Sequence, residues 1–402
     1  MILVTGGLGF IGSHTVQALL DQGEGCVLVQ RRAPEVPASL AGAQVAVERA
    51  DITDLPALLD IGTRHKITGI VHLAGSMPWP PSSDQPVEDA RKALGGLFNI
   101  VEAAQAWGVQ RVGVASTIGV YGGVTAEGPL REDMPLPMTS GHVIPAFKKI
   151  GELLADHLAG VTGIDIVNYR ISAIWGPRGR AADPFFAAPQ LVHAAARGTA
   201  PDLSLLRAPV YAEDSIDLCY VKDCGQAIAL LQLADQLSYR TYNVASGRAT
   251  SNAEVIAAIK KVIPDAQVEL PGGGTGQRNY LDITRLQQDT GYRPGYDTER
   301  AVADYIAWLR AGNDRLSEGE VAGLGDRDEH QQGQADPWLT ARGQRPESPR
   351  PRPLRGPRWA ARVPTHISHS GLVRKWIGKS GNFFCDPAHS PTNHPLRDSR
   401  LA

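Results

Sequence analysis

A glycine-rich turn near the start of the chain limits what this sequence can fold into more than any other feature. The order along the chain is an apolar run, Met1–Val4; the glycines Gly6, Gly9 and Gly12; a helical stretch, Ser13–Gln22; and a second apolar run, Cys26–Val29. Strand, glycine turn, helix and strand in this order predict the βαβ unit of a parallel sheet.

Apolar runs continue to alternate with helical stretches through the first 170 residues. The runs are Val45–Val47, Gly69–His72, Arg111–Ala115 and Ile164–Arg170, and the helical stretches include Val87–Trp107 and Pro145–Leu158. Alternation of this kind predicts an α/β fold with a doubly wound parallel sheet and helices on both of its faces.

The spacing of the glycines between a strand and a helix predicts a dinucleotide-binding site. One glycine permits the tight turn, one lets the backbone approach a pyrophosphate, and one lets the helix pack closely on the strand. The phosphates would lie at the N-terminus of the helix, where N–H groups and the helix dipole favour negative charge. An ordinary tight turn is the alternative. The predicted site residues of this segment are Gly6, Gly9, Phe10, Ile11 and Gly12.

Two later segments are predicted to line the same site. Asp51 and Ile52 follow the third strand, where the carboxylate can accept a hydrogen bond from an adenine amino group. The fourth strand ends in Leu73, Ala74 and Gly75. Small residues at that edge of the sheet let the backbone approach a cofactor, so we assign all five residues to the site.

The end of the second strand bears on the choice between NAD and NADP. A ribose-binding acid is expected about 20 residues after the glycines, but this chain has Gln30, followed by Arg31 and Arg32. Without a carboxylate and with two cations, a ribose 2′-phosphate is tolerated, and NADP is favoured over NAD. Solvated loop positions for both arginines are the alternative. We assign Arg31 to the cofactor site.

Seven motifs occur in order along residues 1–312. They are Thr5-Gly6-Gly7-Leu8-Gly9-Phe10-Ile11-Gly12-Ser13-His14, Asp51-Ile52-Thr53-Asp54, His72-Leu73-Ala74-Gly75, Ala115-Ser116-Thr117-Ile118-Gly119-Val120-Tyr121-Gly122, Arg170-Ile171-Ser172-Ala173-Ile174-Trp175-Gly176-Pro177, Tyr220-Val221-Lys222-Asp223 and Tyr242-Asn243-Val244-Ala245-Ser246-Gly247. This set resembles the extended short-chain dehydrogenase/reductase family, in its NAD(P)-dependent epimerase/dehydratase branch. The resemblance implies a Rossmann core at about 1–170 and 210–245, with a small discontinuous substrate domain at about 171–209 and 246–312.

The resemblance also implies a catalytic group made of a Ser or Thr, a Tyr, and a Lys four residues after the Tyr. Thr117 takes the first position, where it would place the substrate oxygen, and Lys148 takes the last, where it would hold the nicotinamide ribose. The Tyr position is Ile144, which has no proton to transfer. His142 can titrate near neutral pH and is one substitute, whereas an exposed loop histidine is the alternative. Cofactor binding survives this departure, but the acid/base step needs another group.

The substrate positions depart from the family pattern as well. Nucleotide-sugar members carry Asn where this chain has Ala173 and Arg where it has Ile216, and the preceding loop, Glu213-Asp214-Ser215, is acidic. An acidic loop is unfavourable next to a diphosphate. We therefore expect an NAD(P)-dependent oxidoreductase or epimerase that acts at a hydroxyl or carbonyl carbon of a small-molecule substrate. The alternatives are a non-catalytic dinucleotide-binding regulatory protein and a nucleotide-sugar epimerase.

The composition changes after Gly312. Residues 313–402 contain 10 Pro and 12 Arg, and Leu, Ile, Val and Phe supply 14 of the 90 residues. Such a low apolar content predicts disorder. The segment carries a net charge of +4, against −6 for residues 1–312. We predict a basic, Pro/Arg-rich tail that is a solvated extension; an arm that binds nucleic acid or a partner is the alternative, although basic and aromatic residues do not interleave.

Charge, hydropathy and cysteine spacing argue against a nucleic-acid-binding, membrane-spanning, secreted or metal-binding protein. The whole chain has a net charge of −2, so we expect no nucleic-acid partner. No apolar run reaches 18 residues and the chain begins on a strand pattern, so we expect no membrane span and no signal peptide. The four Cys lack zinc spacing, so we expect no metal site and a cytoplasmic protein. The family resemblance implies a homodimer through the two long helices.

Overall fold

A seven-stranded parallel sheet forms the centre of the fold. The computed structural model describes residues 1–31, 40–75, 85–125, 128–274 and 279–314. The strands of the sheet are β1 (Ile2–Thr5), β2 (Cys26–Gln30), β3 (Val45–Arg49), β4 (Gly69–His72), β5 (Arg111–Thr117), β7 (Asp165–Ile171) and β11 (Thr241–Val244). Their order is β11-β7-β5-β4-β1-β2-β3, and all neighbours are parallel. The strand order reverses at β1, which makes its carboxyl end a topological switch point, where ligands of such sheets bind.

Helices cover both faces of this sheet. The α-helices of the described residues are α1 (Phe10–Asp21), α2 (Leu55–Arg64), α3 (Pro86–Trp107), α4 (Val143–Thr162), α5 (Ala188–Arg197), α6 (Val221–Leu233), α7 (Asn252–Val262), α8 (Thr284–Thr290) and α9 (Thr298–Trp308), and a short 3-10 helix (Ile118–Tyr121) and a π-helical turn (Leu309–Asn313) accompany them. α1 and α6 share one core, which includes Val16 and Ile228. α2, α3 and α4 share another, which includes Leu58, Ile100 and Ala155. These two cores and the parallel sheet confirm the predicted doubly wound Rossmann fold.

The inner strands are apolar because helices bury both of their sides. Every residue of β1 and β4 is buried, whereas β3 at the edge of the sheet is partly exposed. α1 and α6 approach closely because Gly225 has no side chain. A Cβ at that position would lie 2.6 Å from the backbone carbonyl of His14.

Three short two-stranded sheets and a third apolar core complete the described part of the fold. β8 (Ala173–Trp175) pairs with β10 (Leu218–Tyr220), β9 (Ser215–Ile216) with β12 (Thr250–Ser251), and β6 (Pro129–Leu130) with β13 (Tyr280–Leu281). α5, α7 and α9 pack together around Leu191, Val255 and Val302. These three helices come from the segments that the sequence assigns to the substrate part.

The ends of several elements differ from the sequence prediction. α1 begins at Phe10, three residues before the predicted start, directly after the last turn residue Gly9. α4 begins at Val143 because the His142 side chain accepts a hydrogen bond from the backbone N–H of Ile144. The first N–H groups of a helix have no acceptor within the helix, and the His142 side chain supplies an acceptor to one of them.

The last described residues of the chain contact helix α5. Asp314 Oδ1 lies 2.9 Å from His193 Nδ1 and accepts a hydrogen bond of 2.9 Å from Arg197 Nη2. Asn313 and Asp314, the first residues of the predicted tail, are thus in contact with the folded part. Residues 315–402 and Arg32 lie outside the described residues, so their predictions stay predictions. In the described parts of the chain, no helix combines the length and apolar character needed to cross a membrane.

Candidate functional site

The glycine turn between β1 and α1 is packed too closely for side chains. The Gly9 N–H donates to the Gly6 carbonyl over 2.9 Å. A Cβ on Gly12 would lie 2.0 Å from that same carbonyl oxygen, and Gly6 itself has a φ of +70°. Gly6 also lies against the end of β4, because its Cβ would come within 3.2 Å of the Ala74 nitrogen. The turn and the 73–75 segment are therefore neighbours at the carboxyl edge of the sheet.

The N-terminus of α1 faces this edge without a side-chain cap from the described residues. Its N-cap is Gly9, and its first turn contains no acidic residue. The first N–H groups of a helix have no partner within the helix, and the helix dipole gives them a partial positive charge. A pyrophosphate, which is an anion rich in acceptors, fits this end of the helix.

A buried hydroxyl fixes the predicted segment Leu73–Gly75. Thr5 Oγ1 accepts a hydrogen bond of 3.1 Å from the Ala74 N–H and lies 2.8 Å from His72 Nδ1. Burial and the positive charge of Lys148 lower the pKa of His72 to about 3. The histidine is thus neutral at physiological pH, and the Thr5 and His72 side chains, together with the Ala74 N–H, hold β1 and β4 in register at the site.

Gln30 at the carboxyl end of β2 has a buried amide nitrogen, Nε2, for which the described residues offer no hydrogen-bond acceptor. Buried donors in folded proteins almost always have a partner. A ligand acceptor at this point would supply one. Arg31, the next residue, is exposed and lies close enough to Asp51 for its charge to act on that carboxyl group.

Asp51 and Ile52 occupy the predicted loop after β3, but the Asp51 carboxylate already has local partners. Asp51 Oδ1 accepts hydrogen bonds from the Thr53 N–H at 2.9 Å and the Thr53 hydroxyl at 2.8 Å. Burial raises the pKa of Asp51, but these bonds and the charges of Arg31 and Lys92 lower it below its ordinary value. The Ile52 carbonyl accepts from Asn99 Nδ2 on α3 at 2.9 Å, which anchors the loop.

Thr117 and Lys148 lie on adjoining elements. Thr117 ends β5, and its hydroxyl oxygen accepts a 3.2 Å hydrogen bond from the Gly119 N–H. Lys148 lies in the second turn of α4, and its Nζ donates to the Ala115 carbonyl of β5 over 2.7 Å. Burial lowers the pKa of Lys148 to about 8, although the Glu152 carboxylate opposes the shift. The lysine is therefore held at the end of β5 that carries Thr117.

Ile144 lies in the first turn of α4, at the position where the family resemblance implies a tyrosine. His142 accepts the Ile144 N–H with Nδ1 over 3.2 Å, and its ring meets the edge of Phe185 with 5.9 Å between centroids. The histidine is partly buried and caps the helix, so the alternative of an exposed loop histidine is wrong. The nearest tyrosine before Ile144 in the sequence, Tyr121, is 4% exposed.

Tyr121 belongs to a buried polar network that sequence reasoning missed. Arg170 on β7 donates with Nη2 to Glu152 on α4 over 2.8 Å and with Nη1 to the Tyr121 hydroxyl over 3.0 Å. Tyr121 in turn donates to Asn243 Oδ1 over 2.8 Å, and Glu152 accepts a further hydrogen bond from Ser116. The network ties α4 to β5, β7 and β11. The one sequence signal for it is Glu152, one helical turn after Lys148.

The substrate side lacks the groups that the resemblance implies for nucleotide sugars. Ala173 is buried in β8, and Ile216 packs against the core around α5 and α7. In the acidic loop, Asp214 Oδ2 accepts the Tyr211 N–H over 2.9 Å, and the Glu213 N–H donates to the Gly273 carbonyl over 3.2 Å. This loop is thus folded onto a neighbouring loop and retains its acidic character. No group of three His, Cys, Asp or Glu residues that could hold a metal ion occurs within the described ranges.

This chain is similar to known proteins over most of its length. The sequence profile of the NAD dependent epimerase/dehydratase family matches residues 2–245. The UDP-glucose 4-epimerase of Mus musculus is 30% identical over 339 residues, which cover 77% of this chain and 96% of the mouse protein. The UDP-glucose 4-epimerase of Mycolicibacterium smegmatis is 28% identical over 319 residues, which cover 77% of this chain and 98% of that protein.

Solved structures also resemble this fold. UDP-glucose 4-epimerase from Thermotoga maritima, solved with UDP-glucose, has a TM-score of 0.64 at 23% identity and covers 77% of this chain and 99% of its own. MoeE5, solved with UDP-glucuronic acid and NAD, has a TM-score of 0.61 at 26% identity with the same two coverages.

Proposed function

This chain belongs to the NAD dependent epimerase/dehydratase family, and on that premise we propose that it binds a nicotinamide dinucleotide and oxidises or reduces a carbon that bears a hydroxyl or carbonyl group. The observation that carries the proposal is the turn from Gly6 to Gly12, which lies against Ala74 and leads into a helix that no described side chain caps. A turn of this kind offers backbone N–H groups and a partial positive charge to a pyrophosphate.

The cofactor would lie across the carboxyl edges of β1, β2 and β4. The residues that would hold it are Gly6, Gly9, Phe10, Ile11 and Gly12 at the pyrophosphate, Asp51 and Ile52 at the adenine, and Leu73, Ala74, Gly75 and Lys148 at the nicotinamide ribose. The hydrogen bond from Ala74 to Thr5 keeps the β4 segment against the turn, which supports this arrangement.

We propose that NADP is preferred over NAD. Gln30 has replaced the expected acid at the end of β2, and its buried Nε2 can donate to a phosphate oxygen. Arg31 is exposed beside it and can add a positive charge. A carboxylate would repel a 2′-phosphate, whereas an amide and a guanidinium attract it.

Thr117 and Lys148 are the two residues that we propose for the chemistry. The bound nicotinamide supplies the hydride acceptor or donor, so the protein has to orient the substrate oxygen and exchange its proton. The Thr117 hydroxyl accepts from the Gly119 N–H, which leaves its own proton available to a substrate oxygen. Lys148 would hydrogen-bond the ribose. Ile144 cannot transfer a proton, so a different group must complete the acid/base step.

We propose a substrate smaller than a nucleotide sugar. The apolar residues Ala173 and Ile216 offer no hydrogen bond to a diphosphate, and the acidic loop at 213–214 opposes one. A nucleotide-sugar epimerase is the second candidate, favoured by the names of the relatives. A non-catalytic dinucleotide-binding regulatory protein is the third, favoured by Ile144.

A homodimer through α3 and α4 is part of the proposal. Among the described residues, large apolar side chains are exposed on both helices: Val87 and Phe98 on α3, and Ile150, Leu153 and Val161 on α4. On each helix the spacing places them on one face. The three described cysteines are free and buried, which supports a cytoplasmic protein.

Purification of the full chain, with titration of NAD, NADP and their reduced forms by calorimetry, tests cofactor binding. Turnover is then screened over aldehydes, ketones, secondary alcohols and UDP-sugars. Cofactor binding with turnover of a small substrate supports the proposal, and turnover of UDP-sugars alone supports the second candidate.

The variants Ile144→Tyr and Ile144→Phe form a matched pair. Both place the same ring in the first turn of α4, and only the tyrosine carries an acidic hydroxyl. If the rest of the site is intact, Ile144→Tyr gains about tenfold or more in turnover over Ile144→Phe. Cofactor binding without turnover in the native chain and in both variants would leave the regulatory protein as the answer.

A further inference from the structure

The turn that follows β8 holds an arginine in a backbone conformation that glycine would adopt more easily. Gly176, Pro177, Arg178 and Gly179 form the turn, and the Gly179 N–H donates to the Gly176 carbonyl over 3.0 Å. Arg178 has a φ of +69° and is the only non-glycine residue with a positive φ in the described parts of the chain. Proline second and a positive φ third is the pattern of a type II turn, whose third position favours Gly or Asn.

An arginine in this conformation lowers the stability of the folded chain. The left-handed region brings the Cβ atom too close to the following carbonyl oxygen, whereas glycine has no Cβ and adopts this region without strain. Strained residues of this kind persist where the surrounding structure holds them in place, and they cluster at ligand-binding positions. The side chain of Arg178 is therefore a candidate for binding a ligand.

Contacts with α1 hold this turn beside the glycine-rich turn that follows β1. The Pro177 carbonyl accepts a hydrogen bond of 3.0 Å from His14 Nε2. Gly179 lies against the ring of Phe10, the first residue of α1, because a Cβ on Gly179 would come within 2.9 Å of that ring. Arg178 stands between Pro177 and Gly179 in the chain, so its backbone is fixed next to the N-terminus of α1.

The charge of Arg178 acts on the same region. Burial lowers the pKa of His14 to about 4, and the positive charges of Arg178 and Lys222 contribute to the shift. His14 is thus neutral at physiological pH and adds no positive charge of its own. Of the two cations that act on it, Lys222 forms an ion pair of 2.8 Å with Asp304.

Arg178 makes no comparable contact. Its side chain is partly buried, and no hydrogen bond or ion pair engages its guanidinium in the part of the chain that the structure describes. Partial burial of a cation without a counter-charge is unfavourable. An anion at the N-terminus of α1 would supply the counter-charge, because the helix N–H groups and the guanidinium would then bind the same ligand.

We propose that Arg178 binds the pyrophosphate of the nicotinamide dinucleotide and adds a cationic side chain to the N–H groups of the glycine-rich turn. The inference rests on the proposed function, because the dinucleotide is the ligand proposed for that turn. A guanidinium can donate paired N–H groups to the oxygens of a pyrophosphate. The affinity gained in this way offsets the strain at a position that glycine would occupy without strain.

Replacement of Arg178 by Gly separates the strain from the binding. Glycine suits the positive φ, so the melting temperature is expected to equal that of the native protein or to exceed it by about 1 °C. In calorimetry on the full chain, the affinities for NAD, NADP and ADP-ribose are each expected to fall about tenfold, because all three ligands contain the pyrophosphate. The ratio of NADP to NAD affinity is expected to stay that of the native protein.

Two further variants and the salt concentration show whether the charge of Arg178 is responsible. Arg178→Lys keeps the charge at the same strained φ and is expected to lose only about threefold in affinity. Arg180→Gly is the matched control, because Arg180 is an exposed residue of the same loop whose charge acts on Asp183; its affinities are expected to stay within about twofold of the native ones. The tenfold loss in Arg178→Gly is expected to shrink to about threefold or less as NaCl rises from about 0.05 M to about 0.5 M.

The outcomes against the inference are distinct from one another. Equal affinities in the native protein and Arg178→Gly overturn it, and so does a loss confined to NADP, which would place the guanidinium at the ribose 2′-phosphate. A loss of affinity that salt does not change, together with a lower melting temperature, also overturns it, because Arg178 would then act only through the fold. If the native chain binds none of the three ligands, the proposed function fails together with the inference.

Discussion

Replacement of Glu152 by Gln tests whether the buried ion pair with Arg170 holds helix α4 on the sheet. The two side chains are only 8% and 7% exposed. Arg170 donates to Glu152 through Nε at 3.1 and 3.2 Å and through Nη2 at 2.8 Å, and Ser116 donates as well. Gln preserves the shape of the side chain, removes its charge and points an N–H group at a guanidinium or hydroxyl donor.

The expected loss follows from this burial. Removal of one partner from a buried ion pair costs about 3–5 kcal/mol, because the other charge stays buried without compensation. Since Gln keeps one acceptor oxygen, we expect the free energy of unfolding to fall by about 3 kcal/mol. The folded part has about 310 residues and an unfolding entropy of about 0.65 kcal/mol/K, so this loss corresponds to a fall in melting temperature of about 4–5 °C.

Urea unfolding followed by circular dichroism measures the effect, and Glu88→Gln is the matched control. Glu88 pairs with Arg91 on α3, but their side chains are 39% and 71% exposed. Exposed pairs of this kind contribute about 0.5 kcal/mol or less. A loss below about 1 kcal/mol in Glu152→Gln, or one equal to that of the control, would refute the reasoning about burial.

Three further predictions concern the cofactor site and its lysine. Gly12→Ala is expected to abolish cofactor binding in calorimetry, because its Cβ would lie 2.0 Å from the Gly6 carbonyl oxygen. Gly160→Ala is the control: Gly160 is an exposed helical residue with nothing within 4 Å of the position that a Cβ would occupy, so alanine there should raise the free energy of unfolding by about 0.5–1 kcal/mol. Gln30→Asp is expected to shift the ratio of NADP to NAD affinity towards NAD by about tenfold or more, and an unchanged ratio would remove Gln30 from the site. Burial lowers the pKa of Lys148 from 10.5 to about 8, so between these pH values the unfolded chain binds the extra proton and native stability rises with pH. Urea unfolding at about pH 8 and about pH 10.5 measures this rise, which should be about 3 kcal/mol in the free energy of unfolding of the native protein and absent in Lys148→Met. The same pH dependence in the native protein and in Lys148→Met would contradict the burial of a charged amine.

The glycine turn shows how much could be predicted from the sequence alone. Three glycines between a strand and a helix prescribe a turn in which Gly6 has a positive φ and Gly12 contacts the Gly6 carbonyl. These are short-range steric requirements, and so their spacing in the sequence reveals them. The alternation of apolar runs and helical stretches also reveals the layers of the sheet, because burial on both faces favours apolar residues at most positions of the inner strands.

Only the tertiary structure decided which polar groups pair with one another and which are buried without a partner. Glu152 and Arg170 lie on different elements, and nothing local in the sequence states that they meet. Gln30 and Asn168 look like ordinary polar residues until the fold buries their amides without partners among the described residues. His142 is a titratable residue in sequence, but in the structure it is the cap of α4.

The sequence by itself therefore determined the architecture, the position of the glycine turn, and the absence of a tyrosine at position 144. Those features depend on spacing along the chain and on steric limits within a few residues. The tertiary structure decided which charges pair, which amides lack partners and how far the pKa of Lys148 falls. These properties depend on desolvation and on contacts between distant segments, and such contacts exist only once the sheet and its helices have come together.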